Sequence, residues 1–190
     1  MEPNVTYKDL GNGTIEGTLY NGIHFIVDKE DFPKIKDKIL YPSKKNSNGN
    51  QLYIMSKDRK YLHTFIIDCP KGFEVDHINR NTMDNRKSNL RIVTHRQNQC
   101  NQDLQRNNTS GVSGVSYYPP RKKYRARIKV QHHDLHLGYF KTFEEAVQAR
   151  NEGMKHLFGE YGVYNDVPPA PKWISDQVAQ KCRPFLHLAA

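Results

Sequence analysis

Glu74-Val75-Asp76-His77-Ile78-Asn79-Arg80-Asn81, followed by Asp84-Asn85-Arg86, Ser88-Asn89-Leu90-Arg91-Ile92-Val93-Thr94 and Gln97-Asn98, is the stretch on which the reading of this chain turns. It holds an adjacent Asp-His pair, a dense run of asparagines, several basic side chains and a threonine placed to start a helix. Phe73–Ile78 reads as a short strand, Asn79–Ser88 as a polar loop and Asn89–Val93 as a return strand. Thr94 and Gln97 have capping-box spacing, so a helix should begin there. Asn98 then falls in the first helical turn, facing back towards the hairpin. Strand, loop, strand and helix are expected to bring Asp76, His77, Asn89 and Asn98 into one small volume.

Hydrolysis of a phosphodiester needs a base to activate water, an in-line approach and positive charge at the leaving oxygen. Neighbouring residues on a strand point to opposite faces. Asp76 could therefore ligate a hard cation while His77 takes a proton from water, as an imidazole with an ordinary pKa can near neutral pH. Asn98 offers a neutral carbonyl oxygen as a second ligand. Few protein ligands, with water and phosphate completing the shell, is the pattern magnesium favours.

Val75-Asp76-His77-Ile78-Asn79-Arg80-Asn81, Asp84-Asn85-Arg86, Ser88-Asn89-Leu90-Arg91 and Thr94…Gln97-Asn98 together resemble the HNH endonuclease motif, in the form carried by phage-type homing and nicking enzymes. The resemblance runs from about Leu62 to Asn101. It implies a ββα-metal fold with His77 as general base. It also implies one divalent metal, Mg2+ or another such as Mn2+, on Asp76 and Asn98. Asn89 would be the middle motif residue, holding the hairpin so that His77 points correctly. The third motif position is Asn98 rather than His, as in the Asn-type branch. Upstream, Leu62-His63 matches a family Leu-His-Arg, with Thr64 in place of Arg; His63 is a candidate for packing or for a place beside the phosphate, with a catalytic role as the alternative. Arg80, Arg86, Lys87 and Arg91 are candidate phosphate contacts.

The composition agrees with a polyanionic partner. The chain has 190 residues, a formal net charge of +9 and 36% hydrophobic content. No run approaches the ~18 apolar residues of a membrane span, and the first residues lack the pattern of a secretory signal. A cytoplasmic setting, in a bacterial or phage-infected cell, is expected. Cys69, Cys100 and Cys182 are widely spaced and odd in number, which suggests reduced thiols. Without a Cys-x-x-Cys pair, a four-cysteine zinc site is excluded.

Residues 1–60 read as a β-rich support. Ile15, Leu19, Ile23, Phe25 and Val27 alternate with polar positions around an Asn21-Gly22 turn. Asp31-Phe32-Pro33 is expected to open a helix reaching about Leu40. Ser43–Asn50 reads as a polar loop. Gln51–Met55 and Tyr61–Ile67 read as strands, although His63–Ile67 is equally compatible with a helix. The nuclease-like core is expected over 61–104 and a linker over 105–111, within a polar Gln99–Gly111 stretch.

The largest excess of basic over acidic residues lies in 109–165. In Arg121-Lys122-Lys123-Tyr124-Arg125-Ala126-Arg127-Ile128-Lys129, six of nine residues are basic. On a strand, Arg125, Arg127 and Lys129 would share one face, while Tyr124, Ala126 and Ile128 pack beneath. Val112–Tyr118, Lys123–Val130 and Leu135–Phe140 read as three strands. Thr142-Phe143-Glu144-Glu145 is a second capping box, opening a helix with Gly159 as its stop. Gly153 inside that helix costs about 1 kcal/mol against Ala.

The motifs Ser110-Gly111-Val112-x-Gly114-Val115, Tyr124-x-Ala126-x-Ile128, Leu135-His136-Leu137-Gly138-Tyr139-Phe140 and Thr142-x-Glu144-Glu145-Ala146 resemble the APETALA-type (ethylene-responsive) DNA-binding domain. The resemblance implies a three-stranded sheet backed by one helix, reading double-stranded DNA with the sheet. Ser113, Ser116, Tyr118 and His136 stand where several base-reading Arg and Trp residues stand in the plant proteins. Ser116, Tyr118, Arg121, Arg125, Arg127 and Lys129 are the candidate DNA contacts of this module. His132-His133-x-x-His136 sits on a hairpin turn, a poor setting for a metal site. Residues 166–190 read as a Pro-rich tail with a weak helix from Trp173.

The fold class expected is α+β: a ββα-metal domain with an N-terminal β-rich support, then a three-stranded antiparallel sheet packed on one helix. The function expected is metal-dependent cleavage of DNA, of homing or nicking type, by a monomer or homodimer with no membrane association. The alternatives are a DNA-binding regulator with a silent nuclease site and a nonspecific nuclease.

Overall fold

The structure is a computed structural model that describes residues 4–43, 52–101, 108–131 and 133–189. It is a mixed α and β chain of small antiparallel sheets and helices, in two compact units, Met1–His95 and Arg96–Ala190.

The first unit opens with a meander of β1 (Val5–Asp9), β2 (Thr14–Leu19) and β3 (His24–Asp28). β2 and β3 form the hairpin expected around Asn21-Gly22, with Gly22 at φ 79°. β1 was not foreseen. It pairs with β2 from Val5↔Leu19 to Asp9↔Ile15 and buries only Val5, too weak an alternation to stand out in sequence. Gly17 lies under the Phe25 ring, where any Cβ would collide. The helix expected from Asp31 to Leu40 is corrected to one 3-10 turn, Phe32–Lys34. Asp31 makes no side-chain cap bond. Its buried carboxylate instead faces Lys34 at 2.7 Å and Lys87 at 3.2 Å, while Leu40 is drawn into a strand.

β4 (Leu40–Pro42) pairs with β5 (Ile54–Ser56), so Tyr61–Ile67 is not the strand beside it. Tyr61 makes only an isolated bridge to Met55, and α1 (His63–Ile66) follows as one helical turn. Leu62, His63 and Ile66 are buried while Thr64 between them is exposed, which is the helical periodicity rather than the strand's. The hairpin of β6 (Phe73–His77) and β7 (Leu90–Thr94) is in register from Phe73↔Thr94 to His77↔Leu90. Asn89 lies in a 3-10 turn, Lys87–Asn89, just ahead of β7 rather than in the strand. α2 (His95–Cys100) begins directly after Thr94, where a helix start was expected. One core joins Val5, Leu19, Phe25, Leu40, Leu62 and Leu90, so meander and hairpin share a single apolar interior.

The second unit holds an antiparallel sheet of β8 (Val115–Tyr118), β9 (Lys123–Val130) and β10 (His133–Phe140), with β9 central. β8 starts three residues later than expected because Gly114 turns at φ 76° under the Arg127 carbonyl. Of the expected linker, 105–107 lie outside the described residues. Asn108 caps a turn, its Oδ1 accepting from Ser110 N and Gly111 N at 3.1 and 2.8 Å.

α3 (Phe143–Phe158) carries the capping box of Thr142 and Glu145 in full. It ends at Gly159, φ 50°. Gly153 is explained by packing: a Cβ there would stand 2.5 Å from Ile128 Cδ1 and 2.9 Å from Leu137 Cδ1. Glycine lets the helix lie close to the sheet at the cost of local helix propensity.

The helix expected from Trp173 is present, and the expectation of one helix on the sheet is corrected, because this second helix joins the same core. α4 (Lys172–Cys182) packs against α3 and β10, burying Ile174, Val178 and Cys182 in the same core. Gln177 Nε2 donates to Leu137 O at 2.9 Å, where β10 shifts register between His136 and Gly138. The chain closes with a 3-10 turn and α5 (Leu186–Ala189). No helix among the described residues is long and apolar enough to cross a membrane.

Candidate functional site

Asp76 and His77 end strand β6, and both are buried, at 6% and 4% exposure. Burying an aspartate calls for a counter-charge, and Arg91, its register partner on β7, supplies one. The guanidinium donates to Asp76 Oδ2 through Nε at 2.9 Å and Nη2 at 2.8 Å.

His77 Nε2 lies 3.2 Å from Asn85 Oδ1, and Asn85 Nδ2 donates to Thr82 O at 3.2 Å. Burial pushes the His77 pKa below the ordinary histidine value, against smaller opposing effects of the Asn85 hydrogen bond, Asp76 and Asp84. The imidazole is therefore held in its neutral, proton-accepting form at neutral pH.

The loop between the strands is shaped by its asparagines. Asn89 Oδ1 accepts from Asn79 N at 2.9 Å, and Asn89 Nδ2 donates to Asp84 O at 2.7 Å, closing the loop at its base. Asn79 Oδ1 accepts from Asn81 N at 2.8 Å and Asn81 Oδ1 from Met83 N at 3.1 Å, two consecutive Asx turns. Arg80 adopts φ 63° at the tip of the turn following His77, its N–H donating to His77 O at 2.8 Å. The loop is also tied to the meander. Ile26 N donates to Met83 O and Asn85 N to Ile26 O, both at 2.9 Å, and Lys87 N donates to Asp28 Oδ2 at 2.7 Å. The N-terminal strands thus fix the residue that touches His77.

Aromatic rings wall the histidine. His63, 7% exposed, stacks on Tyr61 at 5.4 Å between centroids and meets His77 edge-on at 5.3 Å. Tyr53 lies 6.1 Å from His77 and 5.2 Å from Tyr61. Burial, aided by His77, pulls the His63 pKa down to about 4. Sequence reasoning missed Tyr53 and Tyr61, since neither sits inside the motif. The Tyr61-Leu62-His63 run beside an expected strand was the only signal.

The candidate phosphate contacts of this unit are differently placed. Arg80 is exposed. Arg86 is engaged by Asp84, with Nε to Oδ1 at 2.8 Å and Nη2 to Oδ2 at 2.7 Å, and holds that carboxyl below the usual carboxylate range. Lys87 reaches Glu30 at 2.5 Å and Asp31 at 3.2 Å. Arg91 is on Asp76. Asn98 is half-buried on α2, in the second unit. Among the described residues no group of three or more His, Cys, Asp or Glu could hold a metal ion. His132 lies outside them, and His133 and His136 form no such group.

The basic strand of the second unit behaves as the alternation requires. Ala126 and Ile128 are buried and Tyr124 packs edge-on against Phe143 at 5.6 Å, while Arg127 and Lys129 are exposed. Arg125 is half-buried, its guanidinium 5.4 Å from the Tyr118 ring centre, and it pairs in register with Ser116. Arg121 lies over Tyr139 at 4.5 Å, and Tyr139 contacts both Tyr118 and His136, at 5.2 and 4.5 Å. The guanidinium groups are thus braced by aromatic rings on the sheet. Tyr139 was not among the expected contacts.

The hairpin and its loop coincide with a known family. Residues 68–100 match the HNH endonuclease family model. An uncharacterized HNH endonuclease of Acanthamoeba polyphaga mimivirus is 31% identical over 110 residues, covering 57% of this chain and 56% of the relative. Protein 3.8 of Escherichia phage T7 is 32% identical over 62 residues, covering 33% of this chain and 51% of the relative. The chain spans about half the length of the curated relatives it matches. No solved structure matches it.

Proposed function

We propose that this chain is a metal-dependent DNA endonuclease of homing or nicking type, with residues 61–104 as its ββα-metal core. The observation that carries this reading is that the HNH match falls on the hairpin that buries Asp76 and His77 and whose loop Asn89 closes. His77, kept neutral by burial, takes a proton from the attacking water. Asn89 holds the loop that presents it.

Asp76 and Asn98 would hold one divalent cation, magnesium or manganese. Their oxygen donors are hard, and the small number of protein ligands suits that ion. The buried Asp76 carboxylate already demands a cation beside it, a demand the Arg91 guanidinium meets in this structure. When bound, the ion supplies positive charge at the leaving oxygen.

The sheet of 112–165 grips double-stranded DNA through Ser116, Tyr118, Arg121, Arg125, Arg127 and Lys129, in the manner its APETALA-type resemblance implies. A cytoplasmic setting and action as monomer or homodimer complete the reading. The mimivirus and phage relatives are consistent with a mobile, phage-like enzyme.

The test is incubation of the protein with supercoiled plasmids carrying candidate target sites, with magnesium or with a chelator. Metal-dependent conversion to nicked or linear DNA is expected. No cutting of any plasmid with magnesium or manganese would refute the reading in favour of a regulator, and cutting at every sequence would refute site direction.

A further inference from the structure

We propose that Asn85 is the positioning residue that fixes the tautomer of His77, keeping hydrogen on Nε2 and making Nδ1 the nitrogen that accepts the proton. The role in cleavage rests on the reading of His77 as general base; the tautomer does not.

The assignment follows from which atoms can donate. Thr82 O, a carbonyl oxygen, can only accept, and it lies 3.2 Å from one end of the Asn85 amide, which must therefore be the NH2 end. The other end is then Oδ1, which also can only accept, and it lies 3.2 Å from His77 Nε2. Nε2 must carry hydrogen for this contact to be favourable. In the neutral imidazole the lone pair then falls on Nδ1. With Asn85 1% exposed, water offers its amide little competing hydrogen bonding.

The lock is anchored well outside the motif. Asn85 is held by its own backbone, N donating to Ile26 O at 2.9 Å, and its neighbours Met83 and Lys87 bond to β3. The meander therefore acts on the chemistry through a single amide. It sets the side chain of Asn85, and Asn85 sets which nitrogen of His77 is basic. A loop asparagine that only shaped the turn would have no need to end on an imidazole nitrogen.

The experiment uses the metal-free 190-residue chain labelled with 15N at histidine, read by long-range 1H–15N correlation at pH 7.5. Wild type is expected to show His77 protonated on Nε2 and bare on Nδ1. A proton on Nδ1 would overturn the assignment, whether or not the protein cuts DNA. Asn85→Ala is expected to show mixed tautomers and to cut plasmid about 10- to 100-fold more slowly at unchanged KM, a loss of base orientation rather than binding. Asn85→Asp, which keeps an acceptor towards Nε2, is expected to recover the Nε2–H signature. Asn85→Ala cutting at the wild-type rate would overturn the positioning role while leaving the nuclease reading intact. Failure of the nuclease reading looks different: wild type cuts nothing although the Nε2–H signature is in place.

Discussion

Arg91 grips Asp76 across the β6–β7 hairpin, with two of its nitrogens on one carboxylate oxygen at 2.9 and 2.8 Å. The pair is largely withdrawn from water, at 16% and 7% side-chain exposure. The residue expected to hold a cation therefore already has one, and any metal ion reaching Asp76 competes with the guanidinium. Removing Arg91 strips a buried carboxylate of both of these contacts. Arg91→Ala is expected to cost on the order of 3 kcal/mol in urea unfolding without metal. Magnesium is expected to restore more stability to the variant than to wild type. Equal stability of the two proteins without metal would contradict the pairing.

His63 makes stability depend on pH. Its folded-state pKa, about 4, lies below the ordinary value of 6.5, so between these values the unfolded chain binds more protons. Stability from this group is full above about pH 6.5 and falls as pH drops towards 4, by on the order of 3 kcal/mol. His63→Phe, which can keep the ring contact with Tyr61, is expected to flatten this part of the curve. Identical slopes for wild type and variant across pH 4–6.5 would show that His63 is not buried neutral.

Asn89 serves two backbone groups at once, the Asn79 N–H and the Asp84 carbonyl. Asn89→Ala strips both partners, with an expected loss of roughly 2–4 kcal/mol in urea unfolding and slower plasmid cleavage. Asn89→Asp keeps the acceptor but sets a buried carboxylate oxygen against the Asp84 carbonyl, so it should be no more stable than the alanine variant. An alanine variant as stable as wild type would mean the loop is closed by other contacts.

Much of this was legible in the sequence, and the failures share a cause. The β6–β7 hairpin, the start of α2 and the whole of α3 follow from local patterns: alternation, cap spacing and a stop glycine. β1, the choice of helix over strand at His63–Ile67, and the docking of α4 depend on distant partners. Val5 pairs with Leu19, Leu62 and Ile66 enter a core built by the meander, and Gln177 reaches Leu137 O. Gly153 looked like a propensity fault until Ile128 and Leu137 were placed above it. At the candidate site, Asp76, His77 and Asn89 could be singled out from sequence because they share a motif. Asn85 was quoted with the motif without a role of its own, and Tyr53 lies outside it. Their meaning comes only from what they touch.

The sheet of the second unit makes a claim about salt. Arg127 and Lys129 are exposed on the strand, and Arg125 is braced by Tyr118. If they contact phosphates, alanine at each is expected to weaken DNA binding and to lower the salt slope by about 1. A wild-type affinity that does not respond to salt would remove this face from the account.

In the proposed reaction His77 is the base. The measurement that meets it most directly is the rate of magnesium-dependent plasmid cleavage by His77→Ala beside wild type, at equal DNA occupancy. A loss of about 100-fold or more, with DNA affinity unchanged, is expected. Cleavage by His77→Ala at the wild-type rate would contradict it.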